Sequence, residues 1–254
     1  MGITVLIIFG FLVGAIGTLA GIGGGIFIVP FLMLACGFTP QLAVGTGLLV
    51  VLCNSFSGTI AYAFQKQRID YRTGVLFTVF VLPGVVLGSY ALGILPENIF
   101  KPIFAVILII IAVYQIIRKH SGSPESETDH PVKTGPGRYF LLAVVSCLTG
   151  IIAGFLGIGG GIIHIPVLIF LVGLNVHRAT ATSHFILFFT SLTAVIDNGI
   201  MGQIDYRTGL ILGFGAILGA QAGAYISKRT RPRVIILMLS AVLILTALRM
   251  LVNL

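Results

Sequence analysis

The chain of 254 residues is 57% hydrophobic and only 9% charged, with a mean hydropathy of +1.12. That excludes a soluble domain hiding its apolar surface in one core. A net charge of +8 would suggest nucleic acid for a soluble protein, but Lys and Arg here flank apolar runs, so the expected partners are lipid headgroups and no nucleic acid.

Ten-residue alternating strands are absent, so the expected fold class is an all-α integral membrane protein, multi-pass in a cell membrane. From Met1 to Gln65 there is no Asp, Glu, Lys or Arg. Lys66 is the first basic residue and no cleavage region follows the apolar run, so Met1–Gly25 reads as mature structure. The first stretch, Ile3–Cys36, is interrupted by GIGGGIFIVP at Gly21–Pro30 and predicts a broken hairpin of two short helices. Full helices are predicted over Gln41–Phe64, Gly74–Ile94 and Ile99–Ile117. RKHSGSPESETDHPVKTGPGR, Arg118–Arg138, has the mixed charge, Pro, Gly and Ser of an exposed linker. A second broken hairpin is predicted over Phe140–Val172, around GIGGGIIHIP at Gly157–Pro166. Helices over Ala179–Ile200, Gly209–Ile226 and Arg233–Val252 complete ten helical elements.

The chain therefore divides into a membrane repeat over 1–117, a cytoplasmic linker over 118–138 and a second repeat over 139–254. Gly21–Gly25 and Pro30 recur as Gly157–Gly161 and Pro166, 136 residues on. IDYRTG at Ile69–Gly74 recurs at Ile204–Gly209, and Gly88–Tyr90 is matched by Gly223–Tyr225. Charge bears on how the repeats are oriented. With the Lys66/Arg68/Arg72 loop inside, inverted repeats leave only Lys101, Arg207 and Arg249 of the 15 Lys and Arg outside. Parallel repeats return Arg207 and Arg249 but send out Arg178 and the basic residues of Lys228–Arg233, so the positive-inside tendency favours inversion.

A broken helix in lipid exposes backbone groups that cost several kcal/mol each unless protein or water satisfies them. Half-helix N-termini carry partial positive charge, and glycine lets an anion approach the amides closely. Gly23, Gly24, Gly25 and Gly159, Gly160, Gly161 are thus candidate donors of a symmetric anion cradle; the competing reading is tight helix crossing by small residues. The paired glycine motifs with their following prolines, the two halves and the hydrophilic linker resemble the sulfite exporter TauE/SafE family. The resemblance covers nearly the whole chain and implies transport of small sulfur-containing anions or organic acids.

Further polar residues lie inside the spans. Asn54 and Ser55 match Thr190 and Ser191, and Thr46 matches Thr182; all six are candidate substrate contacts, although such side chains also bond neighbouring helices. His164 stands where the first motif has Ile28. Ionisable groups inside a membrane mark function by default, and an imidazole with an ordinary pKa near ~6.5 can carry a proton. His164, His184 and Asp197 are therefore the proton-coupling candidates, with an interfacial place the bland reading of Asp197. Gln221 reads as a helix contact and the IDYRTG loops as helix anchors. Cys36, Cys53 and Cys147 lack metal-ligand spacing, and no catalytic or nucleotide motif is present, so no metal, cofactor or enzyme activity is expected. The function expected is a secondary transporter of a small anion, coupled to a proton or ion, working by alternating access at a midplane site. A passive anion channel and a membrane sensor or assembly subunit without flux are the alternatives.

Overall fold

The computed structural model describes residues 2–64, 69–96, 99–100, 102–107, 109–110 and 136–227. All regular structure among them is helical. The helices are α1 (Ile3–Leu19), α2 (Gly25–Cys36), α3 (Pro40–Phe64), α4 (Tyr71–Ile94), α5 (Pro136–Leu156), α6 (Gly161–Val167), α7 (Val176–Ile200) and α8 (Tyr206–Ser227). Residues 99–100, 102–107 and 109–110 are also helical. The predicted helix Arg233–Val252 and most of the predicted linker lie outside the described residues, while α5 begins at Pro136, inside the expected linker.

Both broken hairpins form. α1 and α2 are separated by the first glycine motif, α5 and α6 by the second. Each short helix carries a proline six positions along, Pro30 and Pro166. Proline removes an amide from the helical ladder. After Pro166 the ladder widens into a π-helical turn at Leu168–Val172, whereas α2 stays α-helical to Cys36.

Among the described residues, four helices are long and apolar enough to cross a membrane: α3, α4, α7 and α8. α3 and α7 are the most buried. The outward faces of α4 and α8 carry Val75, Val79, Val86, Leu210, Phe214 and Leu218, all exposed. Continuous exposed apolar surface of this kind suits lipid, not water.

Helix packing crosses between the halves. α1 lies along α8, and α5 lies along α4, through backbone approaches that only small residues permit: a methyl group on Gly14 would stand 2.5 Å from the Ala216 carbonyl oxygen, and one on Gly88 would run into that of Ile151. α3 packs on both α8 and α7, and α7 on α4. Along the α3–α7 contact, Gly45 faces Asn198, Ser55 meets Ser191, Phe56 lies beside Phe188 with tilted rings and Gly58 faces His184. Ascending numbers on α3 meet descending numbers on α7, so these two equivalent helices run antiparallel.

Candidate functional site

The opening run of glycines has separate backbone tasks. Gly21, at φ 70°, terminates α1: the Ile22 amide reaches the Gly17 carbonyl at 2.8 Å, and the Gly21 amide reaches that of Thr18 at 3.1 Å. These are the two bonds of a Schellman termination. Gly23 and Gly24, at φ 81° and 84°, then turn the chain so that α2 starts at Gly25. Glycine takes this left-handed conformation without steric penalty. Gly157, Gly159 and Gly160 repeat the pattern at φ 70°, 74° and 87°.

The amides of Phe27 and Ile28 bond to Gly24, and those of Ile163 and His164 to Gly160. Those of Gly25 and Ile26, and of Gly161 and Ile162, meet no acceptor among the described residues. They are the free donors that any helix N-terminus presents. The two breaks also pack against each other. A methyl group on Gly25 would run into the Gly157 carbonyl oxygen, and one on Gly161 would stand 2.6 Å from that of Gly21. Val51 and Leu187 cover Gly23, with carbons 3.1 and 3.3 Å from where its Cβ would be, and the same two side chains cover Gly159. All ten residues of the two GIGGG runs are buried. Close packing of glycine and free amides are thus present at the same buried place.

The polar layer surrounds these turns. The Ser55 and Ser191 hydroxyls stand 3.4 Å apart where α3 crosses α7. Thr190 donates to the Gly159 carbonyl at 3.0 Å, and Ser183 to that of Gly21, also at 3.0 Å. Asn54 Oδ1 accepts from the Thr18 hydroxyl at 3.2 Å. Asn54, Ser55, Thr190 and Ser191 therefore lie beside the glycine turns.

Thr46 and Thr182 lie elsewhere. Thr46 Oγ1 accepts the Asp205 amide at 2.9 Å, and Thr182 Oγ1 accepts the Asp70 amide at 3.0 Å. Each fixes the IDYRTG loop of the other half. Within those loops Asp70 caps α4 through the Thr73 amide, and Asp205 caps the start of α8 through the Thr208 amide. Arg178 adds an ion pair to Asp70 at 3.5 Å. Gln221 donates to the Ser57 carbonyl and hydroxyl, bridging α8 to α3 as a helix contact.

His164 is fully buried one turn into α6, with the Phe77 ring set edgewise at 5.0 Å, and neither ring nitrogen has a hydrogen-bond partner among the described residues. His184, also fully buried, bonds through Nδ1 to the Thr180 carbonyl at 3.2 Å. Asp197 lies half-buried near the C-terminus of α7, away from the breaks. Two groups escaped sequence reasoning. Val51 and Leu187 are one more equivalent pair, hidden because they are branched apolar residues in apolar helices. Tyr62 and Thr18 join the polar layer, and a signal existed for the first: Asn54, Gly58 and Tyr62 recur every four residues, on one face of α3.

The family model of the sulfite exporter TauE/SafE matches residues 6–250. The chain belongs to that family. It is 32% identical to the "Probable membrane transporter protein YunE" of Bacillus subtilis, over 96% of either chain. It is also 32% identical to a "Probable membrane transporter protein" of Methanocaldococcus jannaschii, over 94% of this chain and 91% of that one. A protein of the same description from Sinorhizobium is 29% identical over 98% of this chain and 92% of its own. No solved structure matches. This is therefore a multi-pass membrane protein of a transporter family and not an enzyme.

Proposed function

We propose that the chain is a secondary transporter of a small anion, of the sulfur-containing oxyanion or organosulfonate class, whose two inverted halves alternately expose a midplane site. The observation that carries this is the meeting of two glycine turns with free amides at a place where equivalent helices cross antiparallel. Two spanning helices that are sequence equivalents and run in opposite directions are what an inverted repeat requires. The donors are the free amides of Gly25, Ile26, Gly161 and Ile162 at the ends of the two glycine runs, assisted by Asn54, Ser55, Thr190 and Ser191; the Gly23 amide, also expected as a donor, is already taken by the Gly17 carbonyl at 3.2 Å. The closed, apolar-plugged arrangement around Val51 and Leu187 suits a carrier, which must block a continuous wet path in each state. His164 and His184 are the groups proposed to carry a coupling proton.

Uptake of labelled sulfite, thiosulfate, sulfonates and carboxylates into liposomes holding the purified protein, with and without a pH gradient, tests the reading. Saturable flux with counterflow is expected; unsaturable flux without counterflow would make it a channel. The orientation of the halves has its own check. Cysteines at Arg72 and Arg207 should label from opposite membrane faces, and labelling of both from one face overturns inversion.

A further inference from the structure

We propose that Thr18, Asn54, Tyr62 and His184 form one binding pocket beside the first glycine turn, and that it receives the protonated oxygen of a small oxyanion. The inference rests on the anion-transport reading and narrows the substrate class to anions that keep an O–H group.

The four residues are linked by direct contacts. The Tyr62 hydroxyl donates to the Thr18 carbonyl at 2.8 Å, and the Thr18 hydroxyl donates to Asn54 Oδ1 at 3.2 Å. The Tyr62 ring meets the His184 ring edgewise, centroids 5.2 Å apart. Gly58, between Asn54 and Tyr62 on the same face of α3, leaves room for the imidazole; a methyl there would stand 3.1 Å from Nε2. Thr18 is at the end of α1, beside the Gly17 carbonyl that accepts the amides of Ile22 and Gly23.

Two polar atoms of the cluster are left over. Asn54 Nδ2 and His184 Nε2 are buried and have no hydrogen-bond partner among the described residues, in residues 1% and 0% exposed. Their roles are fixed by their neighbours. A carbonyl only accepts, so the Thr180 bond requires the proton on His184 Nδ1 and leaves Nε2 as a bare lone pair. Asn54 Oδ1 accepts from Thr18, so the unused atom is an N–H donor. A buried donor and a buried acceptor left apart each carry a desolvation penalty. One hydroxyl oxygen satisfies both, donating its proton to Nε2 and accepting from Nδ2. A fully deprotonated oxyanion or a sulfonate satisfies only the donor and sets its charge against the lone pair.

The second half has no such pocket: the equivalents of Thr18, Tyr62 and His184 are Gly154, Asn198 and Leu48. The O–H would therefore be read at one turn only.

Methylphosphonate as its monoanion and methanesulfonate have nearly the same shape and the same charge, and only the first carries an O–H. With full-length protein labelled with 15N-histidine, methylphosphonate should move the His184 Nε2 resonance and bind about tenfold more tightly than methanesulfonate, the loss of one hydrogen bond. Asn54→Leu should erase that preference. His184→Gln, whose amide oxygen can replace the lone pair, should retain part of it. Equal binding of the two anions, or a His184 resonance that neither moves, overturns the pocket and assigns the leftover atoms to a water. Saturable methanesulfonate flux with no His184 response would leave the carrier reading standing while this one falls. Absence of any anion flux, with the His184 response intact, would do the reverse.

Discussion

The two glycine turns share one backbone and differ in what surrounds them. The first is bonded by Thr18, which in turn holds Asn54 and Tyr62, and by Ser183 on the Gly21 carbonyl; the second has His164 against Phe77 and Thr190 on the Gly159 carbonyl. Duplication preserved the parts that need φ above zero and close approach, because few other residues fit there. The side chains around them were free to diverge. A symmetric scaffold thus holds an asymmetric polar lining.

The largest effects should come from what the turns have in common. Gly24→Val and Gly160→Val force a branched side chain into the left-handed conformation at φ 84° and 87°, where ordinary residues already lose roughly 1–2 kcal/mol. Transport should be abolished by both, with expression still measurable; near-normal flux in either would reduce the repeat to a packing device. Gly25→Ala and Gly161→Ala collide with the opposite turn instead. Each should lower thermal stability in detergent by the ~1–3 kcal/mol typical of overpacking.

Next come the shared plugs. Leu187→Ala should destabilise by ~2–5 kcal/mol, and the smaller truncation Val51→Ala by less. Both should raise anion leak into liposomes lacking a gradient. A tight, stable Leu187→Ala variant would mean that the contact between the turns does not seal the path.

His164 tests the difference between the halves. A proton on an imidazole beside the second turn adds attraction for an anion, so transport should rise as pH on the loading side falls. His164→Gln should flatten that rise. An unchanged profile would make His164 a structural residue and leave the coupling role to His184 or Asp197.

The smallest effect separates the loop anchors. Thr46→Val and Thr182→Val each delete one hydrogen bond to a loop amide, worth ~0.5–1.5 kcal/mol. The Thr182 side keeps the Arg178–Asp70 ion pair, while the position matching Arg178 in the first half is Leu42. Thr46→Val should therefore cost more, by at most the ~1 kcal/mol of a surface ion pair. Equal melting shifts would show that the ion pair contributes nothing.

Much of this architecture is written locally. The breaks were legible because three glycines and a proline interrupt runs long enough to cross a bilayer. Helix starts that follow a charge were misplaced by a few residues where a side chain caps the helix: apolar runs begin after the last charge, whereas such helices begin at their caps. α4 starts at Tyr71 because Asp70 holds the Thr73 amide, and α7 at Val176 because Asn175 holds that of Arg178. The site was half legible. Repetition singled out Asn54, Ser55, Thr190 and Ser191, which lie beside the turns, but also Thr46 and Thr182, whose hydroxyls hold loops. Repetition cannot separate these roles, since a symmetric scaffold duplicates its fastenings as faithfully as its site. Tyr62 and His184 meet across 122 positions of sequence only because α3 and α7 cross.

The way α1 lies on α8 and α5 on α4 bears on how such a molecule can move. Cutting the chain between repeats does not divide it into two bodies, because each bundle borrows a helix from the other repeat: α1, α3 and α8 on one side, α4, α5 and α7 on the other. The seam between these bundles is the α3–α7 crossing, with Ser55 and Ser191 at its centre. In the proposed carrier the rigid levers would be these mixed trios, with the serine contact as their fulcrum.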